Sequence, residues 1–138
     1  MTIGELLYPV LCFSQNLVRV EKSEQELTIC SKTALKKGGY YEKMVLVDSK
    51  GTALNINGAK KINGVGAFWG YNIFLNQRIK VQLQIKDSFH IQLDETKRLV
   101  LDSFEKWHGW KTREDFSELK SSITNAESIS EIIQFVTQ

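Results

Sequence analysis

Cysteine, histidine and proline are scarce in this 138-residue chain, with two, two and one copies respectively. Two cysteines are too few for the disulfide framework of a small secreted scaffold, so Cys12 and Cys30, each in apolar or strand-like surroundings, read as buried free thiols. No pair among Cys12, Cys30, His90 and His108 has the two-to-four-residue spacing of a structural zinc site, so neither metal nor other cofactor is expected. The apolar stretch from Leu6 to Phe13 contains Pro9, is too short to cross a bilayer, and lacks the basic start and small-residue cleavage site of a signal peptide. A cytoplasmic protein with no membrane partner is the expectation.

Catalytic signatures are missing as well. Neither histidine comes with a Gly-x-Ser-x-Gly elbow, and no Gly-Lys-Ser/Thr follows the glycines. Gly64-Val65-Gly66-Ala67-Phe68-Trp69-Gly70 has a last spacing one residue longer than a dinucleotide fingerprint and precedes a strand pattern instead of a helix. A non-enzymatic protein is expected, and an enzyme would require His90 or His108 to meet Cys12 or Cys30 through the fold.

The residues that are present specify a folded domain. Hydrophobic residues make up 42% and charged ones 25%, a globular balance, and a single domain over 1–138 is expected. Period-two alternation predicts strands over Leu17 to Glu21 and Leu27 to Cys30, and a richer apolar strand over Tyr41 to Val47. Asp48-Ser49-Lys50-Gly51 has the turn chemistry to join that strand to Thr52 to Ile56 as a hairpin. Asn57 to Gly70 reads as a loop that delivers a strand through Tyr71 to Leu75, with a turn at Asn76 and Gln77. Ile79, Val81, Leu83 and Ile85 alternate with Lys80, Gln82, Gln84 and Lys86, so one face is aliphatic and the other wet. A last short strand, Phe89 to Leu93, is expected to pair back across Asp87 and Ser88.

After Leu93 the period changes to that of helices. Asp94 is the expected N-cap, Val100, Phe104 and Trp107 the buried stripe, and Gly109 the stop. Thr112 with Asp115 suggests a capping box for a second helix with Phe116, Leu119 and Ile123 on its core side. Ser128 with Glu131 repeats the logic for a third through Val136. Strands first and helices last predict an α+β fold, an antiparallel meandering sheet followed by two or three C-terminal helices packed on one face.

Two surface features stand out. Phe68, Trp69, Tyr71 and Phe74 crowd within seven residues, while Trp107 and Trp110 flank a glycine. Trp and Tyr offer large rigid contact areas, so Trp69, Tyr71 and Trp110 are candidate partner-binding residues, with Trp107 assigned to the core. Charge is uneven: 12 basic against 7 acidic residues up to Leu93, but 2 against 5 from Thr112 onward. Glu114, Asp115 and Glu118 therefore join the candidate interface.

Small size, a meandering sheet, and capped terminal helices carrying Asp115-Phe116-Ser117-Glu118-Leu119-Lys120 and Ser128-Ile129-Ser130-Glu131-Ile132-Ile133 resemble small bacterial immunity proteins of polymorphic toxin systems. The resemblance covers the whole chain in layout and carries no site residue across. It implies a non-enzymatic cytoplasmic inhibitor whose partner is a cognate toxin domain. The alternative is a nucleic-acid or small-ligand binding domain using Lys60, Lys61, Arg78, Lys80 and Lys86 on the wet sheet face with the Gly64 to Gly70 loop. An isoelectric point near 8.5 is modest for a nucleic-acid binder, so a protein partner is the first expectation. Oligomeric state does not follow from these residues.

Overall fold

Alternating side chains put the apolar residues of each strand on one face, and among the described residues they form a sheet of six antiparallel strands in the order β2-β1-β4-β5-β6-β3. The computed structural model describes residues 2–31, 38–62 and 78–137. A 3-10 turn, Ile3–Glu5, leads into β1 (Val10–Ser14), β2 (Leu17–Glu21), a single helical turn α1 (Glu24–Leu27) and β3 (Ile29–Ser31). Then come β4 (Met44–Val47), β5 (Thr52–Lys61) and β6 (Arg78–His90), followed by α2 (Leu93–Lys106), α3 (His108–Lys111), α4 (Phe116–Asn125) and α5 (Ile129–Thr137). The fold is α+β, with a curled antiparallel sheet and carboxyl-terminal helices on one of its faces.

Both faces of β1 are buried, which explains the unbroken apolar run in its sequence. Leu11 and Phe13 point toward the helices, where they meet Val100, Phe104, Ile123 and Ile132. Val10 and Cys12 point into the concave side, against Met44, Leu46, Leu54, Ile79 and Val81. Leu6, Leu27 and Tyr41 fill that side from above, with the Tyr41 hydroxyl donating to the Leu27 carbonyl at 3.0 Å. The sheet thus curls around a second core instead of leaving its far face wet.

Hairpins set the register. Gln15 and Asn16 both have positive φ, 52° and 66°, the signature of the two-residue turn whose twist matches its strands. Asp48 to Gly51 forms the expected hairpin turn, with the Gly51 N–H donating to the Asp48 carbonyl at 3.1 Å and Gly51 at φ 85°. The Asp48 side chain, 2% exposed, accepts from the N–H groups of Lys50, Thr52 and Leu7 at 2.9, 2.9 and 3.1 Å. It therefore closes the turn and ties down the amino-terminal segment. Asp48→Ala orphans three backbone donors and is expected to cost about 3 kcal/mol, read as a urea midpoint shift. A loss under about 1 kcal/mol would mean that water replaces the carboxylate.

Several local expectations are corrected. Leu27 ends a helical turn, because Ser23 accepts from the Glu26 N–H at 3.2 Å and the Glu26 carboxylate reaches back to the Lys22 N–H at 2.9 Å. The strand expected from Tyr41 starts at Met44, since Lys43 has φ 61° and Tyr41 turns inward. β5 continues through Lys61, where a loop from Asn57 was expected. β6 is one strand with no reversal at Asp87 and Ser88; bulges between Asn55 and Gly58 re-aim its far end. The expected strand Tyr71 to Leu75 and the turn at Asn76 and Gln77 lie outside the described residues.

Helix ends shift too. α2 starts at Leu93 with Asp94 inside its first turn. Asp115, not Thr112, occupies the N-cap of α4 and makes no side-chain capping bond there. Ser128 does cap α5, accepting from the Glu131 N–H at 3.2 Å, while the Glu131 carboxylate accepts from the Glu127 N–H at 2.7 Å.

Candidate functional site

The corner where α2 hands over to α3 and α4 contains the most exposed tryptophan among the described residues. α2 buries Thr96, Val100, Ser103 and Phe104 at helical spacing and ends at Lys106. Trp107 is extended, at φ −109° and ψ 120°, so its side chain leaves the helical stripe that the sequence pattern assigns it. It is 46% exposed, while Trp110 is 9% exposed and packs on Phe104 with ring centroids 4.5 Å apart. The expected roles of the two tryptophans are exchanged: Trp110 is core and Trp107 is surface.

Gly109 does not stop a helix; it lies inside α3 beneath the Trp107 indole. A Cβ there would come within 2.6 Å of the ring. Trp107 also meets Trp110 edge-on, with centroids 6.2 Å apart and planes at 76°. Behind them the Arg113 guanidinium lies 5.2 Å from the Trp110 ring centre and makes two 2.9 Å bonds to the Asp115 carboxylate. Two contacts fix the exposed indole, so it is presented without a large entropy cost on binding.

Charge around the corner is arranged rather than random. Glu105 takes Lys120 at 2.9 Å and Lys111 at 3.9 Å, linking the three helices. The hydrogen bond from Lys120, reinforced by its charge, holds the Glu105 carboxyl below the usual range. Asp115 is engaged by Arg113, whereas exposed Glu114 and Glu118 have no ion-pair partner among the described residues. A separate groove of about 510 Å³ lies between the β1–β2 turn and α2, lined by Phe13, Leu17 and Leu99 with Lys43, Asp102 and Lys106. The remaining expected contact residues, Trp69 and Tyr71, lie outside the described residues.

Thiol and imidazole groups are dispersed. Cys30 lies opposite Ile79, and His90 stands eleven residues along the same strand, roughly 35 Å at 3.3 Å per residue. That separation is far outside hydrogen-bond reach. Cys12 is sealed inside the concave core, whereas His90 and His108 are exposed. Among the described residues, no three His, Cys, Asp or Glu side chains converge on one point. None of the described helices is long and apolar enough to cross a membrane.

Burial pushes the Cys12 thiol up to about 11, with Arg19 opposing the shift; burial likewise raises Cys30. At pH 8 Cys12 should resist a disulfide-exchange reagent until the chain unfolds, while half-buried Cys30 reacts first. Because the folded value is raised, the neutral Cys12 thiol contributes fully below its ordinary value of 9.0, and that contribution is lost as pH rises toward 11. Urea unfolding at pH 10.5 should show a loss of about 2 kcal/mol relative to pH 8 that Cys12→Ala removes.

Set against protein-family models, curated proteins and solved structures, the chain matches none.

Proposed function

We propose that the chain is a non-enzymatic protein-binding module and, most concretely, an immunity-type inhibitor that neutralises a cognate bacterial toxin domain in the cytoplasm. The observation that carries the binding reading is Trp107, 46% exposed yet held by Gly109 and Trp110. Exposing a large aromatic costs hydrophobic free energy that burial in a partner recovers, and Trp and Arg dominate interface energetics. Glu114 and Glu118, exposed and without an ion-pair partner among the described residues, follow a few positions along the chain beside the Arg113-paired Asp115, an acidic rim that would favour a partner with a basic surface around an indole-sized pocket.

The toxin assignment draws on the layout resemblance and the acidic rim. Its test is inhibition: the captured partner should be an enzyme or toxin whose activity falls to nothing at one equivalent of this chain. Capture should fail with Trp107→Ala and weaken with a Glu114→Lys, Glu118→Lys pair. Equal capture by the parent and both variants would overturn the assignment of this corner.

A further inference from the structure

From Ser49 to Lys86 the chain carries six basic residues and no acidic one. That stretch includes most of β5 and β6, which extend together beyond the end of β4: β4 pairs with Ala53 to Ile56, while Gly58 to Lys61 continue against Val81 to Gln84. Lys60 stands opposite Gln82 and Gly58 opposite Gln84, and Lys80 precedes Gln82 by two residues along β6. These side chains share the face away from buried Ile79, Val81 and Leu83, and Lys60, Lys80, Gln82 and Gln84 are all exposed. Lys86 is exposed at the bulge beyond them. The helix-side core reaches β5 only at Ala53, so no described helix covers this strip.

We infer that this outer face of β5 and β6 is a second binding surface, fitted to single-stranded nucleic acid. Lys60, Lys80 and Lys86 have no carboxylate within ion-pair distance among the described residues; Asp87, the acid bordering the strip, is held by the Asn55 amide at 2.6 Å. Lys60 and Lys80 are diagonal neighbours, a relation that places such residues about 7–8 Å apart. Their ammonium groups can follow successive phosphates. The intervening glutamines both donate and accept, as sugar and base edges require. β3 flanks β6 at its Arg78 end, so the strip is part of a wider sheet and not a free ribbon able to enter a duplex groove. A flexible single strand can lie across it.

Fluorescence anisotropy with short labelled single-stranded DNA and RNA tests this. Three neutralised phosphates, at roughly −0.7 each, predict a log–log salt slope of about −2, or about a 20-fold loss of affinity between 50 and 200 mM salt. The K60Q, K80Q, K86Q triple variant should lose most of the binding and flatten that slope, while the K60R, K80R, K86R variant retains both. Trp107→Ala should leave oligonucleotide binding unchanged, separating this surface from the protein-binding corner. No binding at 50 mM salt, equal binding by the glutamine variant, or tighter binding to duplex DNA or to anionic phosphatidylserine vesicles would each overturn the inference.

Discussion

Trp107→Ala should keep its fold and bind its protein partner at least about 30-fold more weakly, the loss of about 2 kcal/mol that marks an interface anchor. The indole is nearly half exposed and rests on the surface of Gly109, so its removal opens no cavity in the core. Its stability cost should stay near 1 kcal/mol, a few degrees in melting temperature for a chain of this size. Gly109→Ala is the companion variant, because a methyl group 2.6 Å from the ring must displace it. If titration calorimetry shows Kd unchanged in both variants, this corner is not an interface. A collapse of the fold would instead make Trp107 a structural residue.

Phe104→Ala should have the opposite profile, a loss of about 3–5 kcal/mol in folding stability. Phe104 is 1% exposed and packs against Trp110 with ring centroids 4.5 Å apart and edge-on against Phe116 at 6.4 Å, joining three helices over the sheet. Truncation leaves a cavity that the rigid aromatic neighbours cannot close. Trp110 carries a buried indole N–H with no hydrogen-bond partner among the described residues, and its ring packs on Phe104. The melting temperature should drop by more than about 10 °C. Phe104→Leu should recover most of the stability, since it restores much of the lost volume. A loss below about 1.5 kcal/mol for the alanine variant would show that the helical layer is not packed as described.

These two variants divide what the corner does for the fold from what it offers a partner. Phe104 and Trp110 make the platform, and Trp107 stands on it. The acidic rim adds rate and selectivity more than affinity, since exposed charges at low burial are screened by salt.

Patterns with a fixed local period were legible from the residues alone. Ile79, Val81 and Leu83 alternate with Lys80, Gln82 and Gln84, and the burial follows that alternation; Leu119 and Ile123 define a helix face in the same way. The Asp48 to Gly51 hairpin turn and the Ser128 cap also follow from short-range chemistry, because each hydrogen bond spans only a few residues. The α+β class follows from the order of these patterns along the chain.

Tertiary structure alone decided where α2 stops and which tryptophan is buried. Helical spacing continues from Val100 through Phe104 to Trp107, but the chain turns extended at that residue so that Trp110 can fill the space beside Phe104. It also decided that the sheet curls around Cys12, Met44 and Tyr41, giving β1 two buried faces, and that bulged β6 runs on past Asp87. The physical reason is common to all three. A period records which residues avoid water within one element, whereas the end of an element and the second face of a strand depend on what residues distant in sequence bring against it.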